Sequence, residues 1–217
     1  MLDELKWDTA TGLVTVVAQD RLSGELRMLA HANREAVEAT LRTGIAHFFS
    51  RSRQRLWRKG ATSGNTLRVR EIWADCDGDA LVYLVEPQGP SCHTGARTCF
   101  FRRVDRATSE AERALPLLEA LTETIARRAT ADADASYTKS LLDQGTAKIG
   151  GKLLEEAGEL AEALASESDE RVASEAADLL FHTMVGLQLR GLTLRDVAAV
   201  LARRFGVSGH AEKASRV

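Results

Sequence analysis

The hydrophobic period of this chain changes about halfway along, and that change restricts the fold more than any single motif. Up to Val104 the apolar residues come in short β-branched or alternating runs. Beyond Leu115 the chain is rich in Ala, Leu and Glu at helical spacing almost to its end. The polar run Asp105–Glu110 separates the two patterns, so two domains are expected over residues 1–106 and 115–217, with a linker at 107–114.

In the first domain Leu13–Ala18 reads as a strand, Leu22–Glu25 as a hairpin turn and Leu26–Ala30 as the returning strand. Asn33 is a plausible cap for a helix that carries Ala36, Val37, Ala39, Thr40 and Leu41 and stops at Gly44. The stretch His47–Gly60 is short, aromatic and basic and is followed by the polar turn Thr62–Asn65. Leu67–Trp73 alternates as a half-buried strand, Ala80–Val85 is apolar enough for a central one, and Cys99–Val104 is expected to close the sheet. The first domain is therefore expected to be α+β with mostly antiparallel strands. The second is expected to be an all-α bundle of helices at about Leu115–Thr130, Tyr137–Ala165, Glu170–Leu189 and Leu194–Arg204, with a weak point at Gly150-Gly151 and a stop at Gly191.

All three cysteines lie between Trp73 and Phe100, mixed with Asp75, Asp77 and Asp79 at every second position and with His93 beside Cys92. Thiolates suit zinc and clustered carboxylates suit a hard cation such as magnesium. Three protein ligands and an open position make a catalytic rather than a structural zinc arrangement. Small buried thiols with a hydrogen-bonded loop histidine are the alternative. Asp75, Asp77, Asp79 and Glu86 also match the ligand spacing of a calcium loop, but Ala80 stands where that loop turns on glycine, and strand-like runs flank it. The segment from Ser50 to Asn65 offers Arg51, Arg53, Lys59, Thr62 and Ser63 for phosphate, with Trp57 free to pack on a sugar or base. A nucleic-acid patch and a solvated basic face are the other readings.

In the second domain Glu155, Glu156 and Glu159 lie within one and a half turns, and Glu175 and Asp178 repeat the i,i+3 spacing on the next helix. Packed together, the two helices would face four or five carboxylates across a groove suited to magnesium and polyphosphate. A solvated acidic face tied down by Lys148 and Lys152 is the alternative.

The blocks Phe49–Gln54, Leu56–Gly60, Thr62–Asn65, Asp75–Asp79 and Gly89–Gly95 with Cys99-Phe100 resemble, in order, phosphoribosyl-AMP cyclohydrolase of histidine biosynthesis, from about Leu5 to Phe101. The resemblance implies zinc on Cys76, Cys92 and Cys99, magnesium on Asp75, Asp77 and Asp79, and His93 as proton shuttle. It further implies substrate binding by the Ser50–Asn65 residues named above, and a homodimer in which the zinc ligands come from both subunits. The reaction it implies opens the purine ring between N1 and C6.

Ala126–Arg128, Ser136–Thr138, Lys148–Glu159 and Glu175–His182 resemble phosphoribosyl-ATP pyrophosphohydrolase, from about Leu115 to Phe205. This implies the all-α fold of nucleotide pyrophosphohydrolases, with magnesium on Glu156, Glu159, Glu175 and Asp178. Glu155 would orient metal or water, Lys152 would meet phosphate, and Ser136, Tyr137 and Thr138 would shape the nucleotide end. Leu154 departs from the family, which often has glycine before its Glu-Glu pair. The product of this second activity is the substrate of the first, so a bifunctional enzyme acting on phosphoribosyl-adenine nucleotides is expected.

One rival is a helical domain that acts on another nucleoside triphosphate. Another is a zinc-stabilised nucleic-acid module with a helical dimerisation domain, which needs a closed four-ligand zinc and a basic groove. A net charge of −2 gives no overall basic signature for nucleic acid. Met1–Lys6 shows no signal pattern, and no apolar run approaches the roughly 18 residues of a membrane span, so a cytoplasmic enzyme without a membrane partner is expected.

Overall fold

The computed structural model describes residues 2–105, 114–130 and 136–205. The chain divides into two compact units, Met1–Pro116 and Leu117–Val217. The expected linker at 107–114 lies, as far as residue 113, outside the described residues.

The first unit contains β1 (Val14–Asp20), β2 (Leu26–Ala32), α1 (Arg34–Thr43), β3 (His47–Ser50), β4 (Arg55–Arg58), β5 (Leu67–Ala74) and β6 (Ala80–Pro87). They form a six-stranded sheet of order β4-β3-β2-β1-β6-β5. Neighbours are antiparallel except β1 and β6, which run parallel. Alternation puts Val14, Val16 and Ala18 of β1 on one buried face with Leu81, Tyr83 and Val85 of β6. Ala36 and Val37 of α1 and Phe48 of β3 join the same core. The side chain of Asn33 accepts a hydrogen bond from the Ala36 N–H at 2.9 Å, and Gly44 ends α1 in the left-handed conformation. A cap of this kind contributes about 1 kcal/mol.

The basic aromatic segment folds as the β3–β4 hairpin, with Arg51–Gln54 at its turn. Phe48 and Trp57 face each other across it, with ring centroids 5.2 Å apart. The expected closing strand at Cys99–Val104 does not form. Both sides of β2 are already taken by β1 and β3, so no free edge is left beside it. The Cys99 N–H reaches only the Arg27 carbonyl, at 2.9 Å, and residues 101–105 are exposed.

The second unit contains α2 (Leu117–Arg128), α3 (Tyr137–Ser166), α4 (Asp169–Leu189) and α5 (Leu194–Arg204). Ser136 and Ser168 cap α3 and α4 through their side chains, and Thr193 with Asp196 forms a capping box on α5. The core is Ile125, Leu141, Ile149, Met184 and Val185. The irregularity in α3 is not at Gly150-Gly151 but at Gly145, whose φ of 74° and ψ of −166° leave the helical region. Only glycine takes that backbone without strain. A glycine inside a helix costs about 1 kcal/mol, and the long packing of α3 on α4 holds positions 150 and 151 helical. Among the described residues no helix is long and apolar enough to cross a membrane.

Candidate active sites

The loop after β6 carries two of the three cysteines, all of which are free thiols. It turns at Cys92–Gly95, with the Gly95 N–H on the Cys92 carbonyl at 3.2 Å. Cys92 is buried, Cys99 is exposed, and their side chains interact. Burial pushes the Cys92 thiol up, but the Thr94 hydroxyl, 3.2 Å from Sγ, leads a set of hydrogen bonds that outweighs it, so Cys92 lies below the ordinary thiol value. Although part of Cys99 reaches solvent, desolvation by the protein around its sulfur first, and then the charge on Cys92, push it up to about 11. The two thiols are thus shifted in opposite directions, Cys92 toward the thiolate and Cys99 away from it, and a soft cation would favour both as thiolates. His93 is exposed, with Nδ1 3.9 Å from Cys92 Sγ.

Cys76 does not meet this pair within the chain. Among the described residues no group of three ligands that includes a cysteine gathers within 4.8 Å. Cys76 sits instead in the β5–β6 turn, between Asp75 and Asp77. An extended backbone would point the three aspartates to one face; here a turn does the gathering. Asp75 Oδ1 accepts from the Gly78 N–H at 2.9 Å and the Ala80 N–H at 3.1 Å. Ligand oxygens of Asp75, Asp77 and Asp79 then lie within 4.8 Å of one another. The Ala80 and Gly78 amides hold Asp75 below its ordinary value, whereas the charges of Asp77 and then Asp75 raise Asp79. Mutual repulsion of this kind fits a hard cation. Glu86 takes no part, since it lies on β6 and pairs with Arg70 at 2.7 Å.

The expected substrate residues of this unit spread around the β3–β4 hairpin. Arg51 and Arg53 are exposed at its turn, and Thr62 and Ser63 are exposed in the following loop. Trp57 is half-buried on Phe48, so its ring serves the core. Lys59 is buried, with Nζ on the Asn65 carbonyl at 3.0 Å, and burial depresses its pKa while the charge of Cys99 counters that. Gly60 makes this loop possible: at φ 80° a Cβ there would stand 2.7 Å from the Asn65 carbonyl carbon and the Thr66 nitrogen.

In the second unit α3 and α4 pack along their length and bring Glu156, Glu159 and Glu175 within 4.8 Å. Glu156 and Glu175 are buried and Glu159 is exposed. Asp178 and Glu155 do not join this group. Lys152 Nζ lies 2.8 Å from Glu155 and 3.2 Å from Glu156, so Glu155 first and Glu156 second raise its pKa. The hydrogen bond with Glu175 leads the interactions that hold Glu159 above its ordinary value. Three carboxyls gathered this closely, one of them holding its proton more tightly than usual, suit a divalent cation that takes the place of that proton. Ser136 serves as the cap of α3, while Thr138 is buried with its hydroxyl oxygen unpartnered.

Two residues given no role from sequence contact this cluster. Arg171 reaches Glu175 at 2.5 Å and Glu167 at 3.0 Å, along an i,i+4 series that was open to reading. His182 is buried with Nδ1 2.9 Å from the Asp178 carbonyl and 3.5 Å from Glu156, and its Nε2 is 3.2 Å from the Tyr137 hydroxyl. No local spacing announces that second contact, because Tyr137 lies at the start of α3 and His182 on α4.

Comparison with known proteins places both clusters in matched regions. The family model for phosphoribosyl-AMP cyclohydrolase matches residues 28–101, and that for phosphoribosyl-ATP pyrophosphohydrolase matches residues 118–205. The chain is 42% identical to the histidine biosynthesis bifunctional protein HisIE of Wolinella succinogenes, over 100% of this chain and 97% of the relative. It is 50% identical to the protein of that name from Thermus thermophilus, over 89% of each. For the Pyrococcus furiosus protein the identity is 43%, over 94% of this chain and 97% of the relative.

Proposed function

This chain belongs to the family of bifunctional histidine-biosynthesis proteins that join a phosphoribosyl-AMP cyclohydrolase to a phosphoribosyl-ATP pyrophosphohydrolase, and from that premise we propose how its two units divide the work. The helical unit hydrolyses 1-(5-phosphoribosyl)-ATP to 1-(5-phosphoribosyl)-AMP and pyrophosphate. The N-terminal unit then breaks the N1–C6 bond of the purine with water: the oxygen becomes a carbonyl on C6, one proton goes to N1 and the other to the exocyclic nitrogen on C6. The order of domains along the chain is the reverse of their order of use. The single observation that carries this reading is the pair of matched regions, one for each step and each containing a ligand cluster. The domain limits proposed are 1–106 and 115–217, with 107–114 as linker.

Cys92 and Cys99 are the proposed zinc ligands of one chain, supported by their contact and by the lowered Cys92. Cys76 completes the set from a second subunit in a homodimer, a reading supported by its separation from the pair within one chain. Zinc, when bound, supplies a lowered pKa for a water directed at C6. His93, next to Cys92, carries the proton toward N1. Asp75, Asp77 and Asp79 are proposed to hold magnesium. Arg51 and Arg53 are proposed to meet phosphate, as are Lys59, Thr62 and Ser63, while Trp57 backs that surface from the core.

The helical unit is proposed to have the nucleotide pyrophosphohydrolase fold. Its proposed magnesium ligands are Glu156, Glu159 and Glu175, with Asp178 one turn beyond Glu175 as a further ligand on closure around substrate. Magnesium, when bound, supplies neutralisation of charge on the triphosphate. Lys152 donates to a phosphate oxygen, Glu155 orients water, and Ser136, Tyr137 and Thr138 line the nucleotide end. Both reactions are proposed to run in the cytoplasm.

The direct test is to incubate purified protein with phosphoribosyl-ATP and magnesium. Pyrophosphate should appear first and the ring-opened product second, and absence of either removes the corresponding half of the proposal. A protonation effect accompanies the first step. Glu159 binds its proton more tightly than a free glutamate, chiefly through Glu175, and a cation must displace that proton. The magnesium concentration for half-maximal pyrophosphate release is therefore expected to rise several-fold from about pH 8 toward pH 5, well above the ordinary glutamate pKa of about 4.3. A flat magnesium requirement over that range counts against Glu159 as a ligand.

A further inference from the structure

We propose that Glu25 is a positioning residue for the cysteine loop, a fully buried carboxylate that fixes the segment from Gly89 to Cys99 through two arginines. The inference rests on the reading of Cys92 and Cys99 as zinc ligands. Glu25 has no exposed surface, and Arg27 retains only 4%. Glu25 Oε2 accepts from Arg27 Nη1 and from Arg97 Nε, each at 2.7 Å. Arg27 then reaches the residues just before Cys92: its Nε donates to Ser91 Oγ at 3.1 Å, and its Nη2 to the Gly89 carbonyl at 3.1 Å. Arg97 lies within the loop, two residues before Cys99.

The backbone adds pins at the same place. The Cys99 N–H donates to the Arg27 carbonyl at 2.9 Å, and the buried Thr98 hydroxyl donates to the Leu26 carbonyl at 2.5 Å. The cysteine loop is thus tied to the start of β2 just before each of its two thiols. It needs such ties because it belongs to no strand, and β2 has no free edge on which it could pair. A charge is expensive to bury, and the other oxygen, Oε1, is buried without a hydrogen-bond partner. Hydrophobic packing alone would favour an apolar residue there. A carboxylate at this point is explained by what it holds: the ligand geometry of Cys92 relative to Cys99. Groups that orient metal ligands from behind typically change metal affinity by about 10–100-fold when removed.

The test is zinc competition against a chromophoric chelator on the full-length, zinc-loaded protein, with E25Q, S91A and V16A beside the native chain. Glu25→Gln keeps the shape and removes the charge. Ser91→Ala removes one Arg27 acceptor without stranding a carboxylate. Val16→Ala loosens the same core away from the loop and controls for general destabilisation. Zinc affinity should fall about 10–100-fold in E25Q and about tenfold in S91A, and should be unchanged in V16A even though its melting temperature drops. Pyrophosphate release should be unaffected in all three. Native zinc affinity in folded E25Q, or an equal loss in V16A, overturns the proposal. Should E25Q fail to fold, unchanged zinc affinity in S91A overturns it. A native protein that binds no zinc, or binds it regardless of Cys92→Ala, refutes the zinc reading itself and this inference with it.

Discussion

Cys92→Ala is expected to lower ring opening of phosphoribosyl-AMP by about 10³-fold or more, while pyrophosphate release from phosphoribosyl-ATP continues at the native rate. The magnitude follows from losing several kcal/mol of transition-state stabilisation, since each 1.36 kcal/mol is a factor of ten. Cys92 is buried, interacts with Cys99 and accepts a hydrogen bond from Thr94, so alanine removes the more acidic of the two thiols and leaves Cys99 raised by burial and alone. The competing explanation is a small buried side chain cut back to a smaller one. That change costs on the order of 1 kcal/mol of stability and lowers the folded fraction without singling out one reaction. Assaying each half-reaction with its own substrate separates the two. Retained ring opening refutes the ligand role, and parallel loss of both activities argues against separate sites.

The second large effect is expected from Glu175→Gln, which should reduce pyrophosphate release by about 10²–10³-fold, or 3–4 kcal/mol at 1.36 kcal/mol per factor of ten, and leave ring opening of supplied phosphoribosyl-AMP intact. Glutamine fills the same volume, so packing between α3 and α4 is retained. What is lost is one of the two buried carboxylates in the cluster with Glu156 and Glu159. Arg171 is more than half exposed, so the substitution strands no buried charge on it. An acidic face with no cation would respond in the opposite way. Removing a like charge beside Glu159 would then relieve repulsion, raise the melting temperature slightly and leave pyrophosphate release unchanged. Measuring rate, magnesium requirement and melting temperature on one preparation distinguishes the outcomes.

Several features of the fold could be read directly from residue order because their energies are local. The cap at Asn33 and the stop at Gly44 depend on hydrogen bonds within a few residues, and α1 begins and ends where they predict. Leu13–Ala18 and Ala80–Val85 form strands at about the expected places, and the second lies inside the sheet, between β1 and β5. Where the expectation failed, the deciding partner was distant in the chain. Cys99–Val104 has the composition of a strand but meets a sheet whose candidate neighbour is already paired on both sides. Gly150-Gly151 is the more conspicuous weak point, yet α3 breaks at Gly145 and packing on α4 holds the pair in the helix. Trp57 packs on Phe48 across the β3–β4 hairpin, a contact fixed by the strand register.

The sites divide along the same line. By itself the sequence determined the inventory of ligands, the change of period that separates two units, and the aspartate cluster, whose members lie within five residues and are gathered by one turn. Tertiary structure alone decided that Cys99 returns to Cys92 while Cys76 stays apart, and that Glu175 crosses from α4 to Glu156 and Glu159. It also buried Glu25 between two arginines, one of them, Arg97, 72 residues further along the chain. The reason is physical: periodicity and caps report free energies that act over a turn or a strand pair. The meeting of distant side chains depends on which sheet edges and helix faces remain to be buried once those local elements have formed.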